Sequence, residues 1–265
     1  MTARFRSTLQ PRETDMNIII APDPAHAVEK AAAIVADEIR SHARPVLGLA
    51  TGRTMESLYA RLVTRYRDGT LDFSSTTSFN LDEYVGIPAA APQSYHTYMH
   101  RHLFDQVNMR PGHGHVPNGM APDLNAECAA YEDLIRASGG IDLQLLGIGE
   151  TGHIGFNEPP SAFDTRTRPV ILDPVTRQQN AEMFGNDADA VPERALTMGV
   201  GTILDARRLL LLAVGSSKAA IIRKALLDPM TPDISASAIR LHRDCTIIMD
   251  EAAAAELGLE GSRLP

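Results

Sequence analysis

The sequence predicts an α/β fold: a single domain built on an open, mostly parallel, Rossmann-like sheet with helices on both faces. Three observations predict it. Short β-rich runs alternate with amphipathic helical stretches along most of the chain. The run DLQLLGIG at 142–149 reads as a fully buried strand. No internal repeat, low-complexity tract or Pro/Ser linker divides the 265 residues, a length that suits one such domain.

The elements follow in order. NIIIA (17–21) reads as the first strand. Met16 just before it has the look of a natural start, so residues 1–15 are expected to be a loose extension and 16–265 the domain. That extension carries arginines but no apolar stretch of the kind a signal peptide needs. Residues 25–42 place apolar side chains at helical spacing. VLGLA (46–50) is the next strand, broken by TGRT before the helical MESLYARLVTRYRDG. TTSFN (76–80) is a strand ending at LDEYVG, and QSYHTYMHRHLFDQV and NAECAAYEDLIRAS read as helices. RRLLLLAVG and CTIIMD are the last strands, separated by the helical SSKAAIIRKALLD and a further short helical stretch.

Composition excludes several classes of function. A formal net charge of -8 argues against a nucleic-acid surface, although a local basic pocket can still take a small anion. Cys128 and Cys245 are the only cysteines and fit no C-x-x-C pattern, which points away from a disulfide framework and toward a reduced, cytoplasmic setting. No run approaches 18 apolar residues, so no membrane span is expected. His96 and His100 have i,i+4 spacing and HGH sits at 113–115, but no acidic partner is spaced to complete a metal site. An amphipathic helix and a solvated loop are the expectation there, with no metal.

In open α/β sheets ligands bind beyond the carboxyl ends of the strands, so the polar residues at strand ends are the candidates for chemistry. GIGETGHIGFNEP (147–159) contains G-x-G-x-x-G after a strand, the mark of a dinucleotide site. The next step fails. HIGFNEPP, with its glycine, asparagine and two prolines, cannot open the helix that would receive a pyrophosphate. Asp173, spaced as a ribose-binding acid would be, loses that role with it. His153 remains as a candidate acid/base, with Glu158 near enough to orient it. Asp82 and Glu83 form a pair of carboxylates at another strand end, either capping a loop or functional. Thr51, Gly52, Arg53 and Thr54 form a strand–helix junction suited to an anion, the plain alternative being ordinary helix capping by Thr54, which does not exclude it. VGSSK (214–218) repeats that arrangement, with Lys218 in the first helical turn, and Arg177 in PVTRQQN is a further candidate phosphate donor.

Five segments then stand in one order: SFNLDEYVG, SYHTYMHRHLFDQV, LLGIGETGHIGFNEP, ALTMGVGTILDA and VGSSKA. From about Met16 to about residue 257 the chain resembles the glucosamine-6-phosphate deaminase family, also called glucosamine-6-phosphate isomerases. The resemblance implies a cofactor-free reaction on a small amino sugar phosphate. The ring of glucosamine 6-phosphate opens, the aldose becomes a ketose, and fructose 6-phosphate and ammonia leave. It implies that Asp82 moves the proton between C2 and C1, that His153 opens the ring with Glu158 in support, and that residues 51–54, Arg177 and Lys218 hold the phosphate. It also admits a homo-oligomer.

Two departures stand out. The best-studied members carry an aspartate two residues before the histidine, where this chain has Thr151. Relatives often show TGGTP or TGSSP where this chain has TGRTM, so Arg53 is expected to add charge to the phosphate site. The rival readings are a 6-phosphogluconolactonase-like lactone hydrolase, a deaminase for galactosamine 6-phosphate, and a non-catalytic sugar-phosphate sensor.

Overall fold

Parallel strands need long crossovers, and the apolar periodicity of the intervening segments supplies them as helices. The computed structural model describes residues 16–258; the expected extension at 1–15 and the tail at 259–265 lie outside the described residues. Ten strands and eight α-helices are described: β1 Met16–Ala21, α1 Pro24–Ser41, β2 Val46–Leu49, α2 Arg53–Arg67, β3 Thr77–Asn80, β4 Asp82–Tyr84, α3 Tyr95–His102, β5 Gly114–His115, α4 Leu124–Ala137, β6 Leu143–Leu146, β7 Arg168–Ile171, α5 Pro174–Asn180, β8 Arg194–Thr197, α6 Val200–Leu204, β9 Arg208–Ala213, α7 Ala219–Leu227, β10 Cys245–Asp250 and α8 Glu251–Ala254. Seven of the strands form one sheet in the order β1-β10-β9-β6-β2-β3-β5, with every pairing parallel.

The first helix shows how the sequence builds these crossovers. Asp23 accepts the amide of His26 at 2.9 Å, and Pro24 occupies the first turn, where a missing N–H costs nothing. Ala27, Ala31, Ala32 and Ala36 are fully buried with Val28, Val35 and Ile39, so the helix lies close to β9, β10 and the neighbouring α2. Leu209 to Leu212 of β9 are all buried, as a strand covered on both faces requires. Full burial of each such side chain is worth about 1.5–3 kcal/mol. Gly48, in the middle of β2, leaves space that the Gln144 side chain crosses; a Cβ there would lie 1.9 Å from Oε1 of Gln144.

Three short strands make a second, antiparallel sheet in the order β4-β8-β7, with Asp82 opposite Thr197 and Arg168 also paired with Thr197. LDEYVG, expected only as the point where β3 ends, thus carries a strand of its own. The chain leaves the large sheet at Asn80 and enters the small one at Asp82 with one residue between. HGH at 113–115 is likewise no free loop. Gly114 and His115 pair with Ser78 and Phe79 as the edge strand, and His115 stacks on Phe79. The helix expected over 93–107 ends at His102, and a separate short turn covers Phe104–Gln106.

Candidate active site

Four adjacent strands, β9, β6, β2 and β3, end on the same side of the sheet, and a cleft of about 240 Å³ opens over their carboxyl ends. Thr51, Gly52, Arg53 and Thr54 from β2, Asp82 beyond β3, Gly149 and His153 beyond β6, and Lys218 beyond β9 all line it. The fold thus brings together most of the polar strand-end residues singled out in the sequence.

His153 is held by its own loop. Its Nδ1 lies 2.8 Å from Oγ1 of Thr151 and 3.2 Å from Oε2 of Glu158. The carboxylate beside Nδ1 favours the tautomer with its proton there, which leaves the lone pair on Nε2. Nε2 lies close over Gly149; a Cβ on that residue would stand 2.2 Å from it. Burial raises the Glu158 carboxyl, but contact with His153 and then Thr176 outweighs it, and the group sits below its usual value. Glu150 turns away from the imidazole and accepts a hydrogen bond from Gln179 at 2.9 Å.

The loop is stitched down from three sides. Asn157 donates to the carbonyls of Ile154 and Met198 at 2.8 Å each, and its Oδ1 accepts from Arg168 at 2.8 Å. Arg168 also donates to Ser161 at 3.0 Å. Ser235 accepts from the amide of Ile154 and donates to the carbonyl of Asn157. Thr197 accepts the amide of Phe156 at 3.0 Å. Asn157, Thr197 and Ser235 are positioning residues that the sequence reading missed. Asn157 lay in view within GFNEP, whereas nothing in DISASAIR marks Ser235. No helix follows Gly152, whose φ of 84° places the chain in a left-handed turn, and Asp173 caps α5 through the amide of Val175. Neither feature offers a dinucleotide site.

Asp82 and Glu83 have separate roles. Glu83 accepts the amides of Tyr84, Tyr95 and His96 at 2.9, 3.0 and 2.9 Å, and so closes the N-terminus of α3 together with Ser94, which accepts from Thr97. Asp82 faces the cleft and forms no ion pair among the described residues. Burial, and secondarily the neighbouring Glu83, push its carboxyl up to about 8. A carboxyl group with that value can exchange a proton near neutral pH.

The rest of the lining presents donors. Gly52, with φ 115°, is the N-cap of α2, and no side chain caps the helix. Thr54 is not the cap: it lies one residue inside the helix, and while the Met55 amide donates to the Gly52 carbonyl at 2.9 Å, the amides of Arg53 and Thr54 remain open to an anion. Burial lowers the Lys218 ammonium, partly offset by Glu150. Arg53 lies at the mouth, its side chain 86% exposed and 3.4 Å from Glu182 rather than turned inward. Arg177 is not in the cleft. Its guanidinium donates to the carbonyls of Val191 at 3.0 Å and Ala188 at 2.9 Å, which corrects its placement as a phosphate ligand in this arrangement. Tyr95, Phe156 and Asn180 complete the walls and carried no functional signal in the sequence. His96 and His100 stack with centroids 4.5 Å apart, and His100 pairs with Asp105, away from this site.

The family described as glucosamine-6-phosphate isomerases/6-phosphogluconolactonase matches residues 24–248. The chain belongs to this family. It is 48% identical over 243 residues to glucosamine-6-phosphate deaminase 2 of Bacillus subtilis, covering 91% of this chain and 98% of that protein. It is 47% identical to the glucosamine-6-phosphate deaminase of Shewanella loihica, covering 91% and 90%. Among solved structures, a monomeric glucosamine-6-phosphate deaminase superposes with a TM-score of 0.88 at 44% identity, covering 91% of this chain and all of that one. A 6-phosphogluconolactonase from Trypanosoma cruzi shares the fold, with a TM-score of 0.74 at 20% identity. Among the described residues no helix is long and apolar enough to cross a membrane.

Proposed function

We propose that this protein converts glucosamine 6-phosphate to fructose 6-phosphate and ammonia. The observation that carries the reading is the cleft that Asp82 and His153 share with Lys218 and the open end of α2. Nε2 of His153 takes the proton of the anomeric hydroxyl and hands it to the ring oxygen as the C1–O5 bond breaks, which opens the pyranose. Asp82, as carboxylate, takes the proton from C2 and returns it to C1. The C2 ammonium gives one proton to the aldehyde oxygen, so the aldehyde becomes a CH₂OH group and the C2 amine an iminium, which water hydrolyses to the ketone and ammonia. Each transfer by a positioned acid/base is worth about 10²–10⁴-fold. The phosphate sits against Lys218 and the amides of 51–54, with no cofactor required.

Ammonia release and ketose formation from glucosamine 6-phosphate, galactosamine 6-phosphate and 6-phosphogluconolactone test the proposal. Turnover of the lactone alone would overturn it in favour of a hydrolase. Release from the galacto epimer alone would move the substrate, and no turnover of any would favour a sensor.

Lys218→Ala should raise KM with little change in kcat, because the phosphate is bound alike in ground and transition states. Loss of one charge-assisted hydrogen bond, about 1.5–3 kcal/mol, corresponds to roughly a ten- to hundredfold increase. Initial-rate kinetics with an unchanged KM would place the phosphate elsewhere.

Thr151→Asp should leave the rate equal or lower. The hydroxyl already contacts Nδ1 of His153 at 2.8 Å, and a carboxylate there would crowd the negative charge of Glu158. A large gain in turnover would show that the threonine limits ring opening.

A further inference from the structure

At the other edge of the parallel sheet, where β2 and β3 begin, lies a second concavity of about 540 Å³. Arg44, Ser75, Thr77, Arg110, His113 and Ser138 supply its polar lining. Every one of these side chains can donate a hydrogen bond, and no carboxylate lines the pocket, although the chain carries a formal net charge of -8. Neither guanidinium forms a hydrogen bond or ion pair with another described residue. The Asp72 carboxyl, exposed and outside the lining, is held low first by the Ser74 amide and then by Asn108, with Arg110 contributing least.

The donors stand on a fixed frame. Thr77 donates its amide to Pro45 at 2.9 Å, Ser78 to His113 at 2.8 Å, and His113 to Arg110 at 3.1 Å. The segments carrying Arg44, Thr77, Arg110 and His113 are thereby tied to one another through the backbone. Oγ1 of Thr77 lies 3.3 Å from Nδ1 of His113, and Nε2 has no described partner. Two unpaired guanidiniums in one depression repel each other in the free protein, and an oxyanion between them turns that repulsion into bidentate hydrogen bonding. The volume leaves room for a body beyond the anion itself.

We infer that this pocket is a second anion site, separate from the catalytic cleft, that takes the phosphate group of a small phosphorylated metabolite. The test is a titration of the uniformly ¹⁵N-labelled chain with inorganic phosphate at constant ionic strength in chloride, followed by amide shifts. Two groups of amides should move, one around Gly215–Lys218 and one around Thr77, His113 and Ser138. Arg44→Ala combined with Arg110→Ala should weaken the second group's response by about a hundredfold, at roughly tenfold or more per lost arginine contact, and leave the first within twofold. The amide shifts of the double variant away from Arg44 and Arg110 should match wild type before phosphate is added, which reports that it is folded. No movement at Thr77, His113 and Ser138 at millimolar phosphate, or an undiminished response in the double variant, would overturn the inference. The result does not depend on which substrate the cleft turns over.

Discussion

Asp82→Asn should lower turnover of glucosamine 6-phosphate by about 10²- to 10⁴-fold while leaving KM nearly unchanged. The amide has almost the same shape but cannot accept the C2 proton. Asp82 is buried and faces the cleft, and burial, then Glu83, hold its carboxyl at about 8. In the free enzyme the carboxylate therefore accumulates as pH rises through that value, and kcat/KM should climb to a plateau just above it. The residual activity of the variant should lack this rising limb. Stability carries the opposite sign. Between about pH 4, where an unfolded aspartate ionises, and about 8, the folded chain keeps a proton that the unfolded chain has lost. Wild-type stability falls through that window, and the variant should be spared the fall, so its Tm should exceed wild type most clearly above pH 8. A variant with turnover within tenfold of wild type would remove Asp82 from the proton transfer. A variant that is inactive and also less stable at pH 9 would show misfolding instead.

Gly149→Ala should cost about 10²-fold in kcat/KM. The residue has no positive φ, so its backbone accepts alanine, but the new Cβ would stand 2.2 Å from Nε2 of His153. The imidazole has to move, and with it the lone pair that faces the substrate. His153→Gln should cause a loss of similar size, and the double variant should be little worse than either single one, because both changes remove the same group. Additive losses, or a Gly149→Ala enzyme within threefold of wild type, would mean that the imidazole does not act from this position.

The sequence made most of the large sheet legible because β2, β6, β9 and β10 are largely apolar and the helices repeat with a 3.6-residue period, whereas the two-residue β5 passed for a loop. The small sheet had no such signature. DEY, RPVI and RALT are three or four residues long, mix charge with apolar side chains, and include a proline, so each falls below the length at which alternation can be recognised. Strand-end logic located Asp82, His153, Lys218 and residues 51–54 in one cleft, since those positions follow from topology alone. It failed for Arg177, whose direction depends on which carbonyls a neighbouring loop offers, and for Arg53, which finds Glu182 across the mouth. It could not separate Asp82 from Glu83 either: the two are adjacent in sequence, and only the position of α3 shows that one is consumed by backbone amides.

The order of strands around the cleft bears on how the protein gains its activity. Thr51, Asp82, His153 and Lys218 are spread across most of the described chain, yet they meet because β2, β3, β6 and β9 lie side by side. The pairing of β6 with β9 joins segments about sixty residues apart, and β1 pairs with β10, the last strand to be made. Contacts of such long range carry a heavy loop-closure cost and form slowly. No fragment ending before β9 can present both the acid/base pair and the lysine. Competence therefore requires β9 to have joined β6, however early the helices and local turns form.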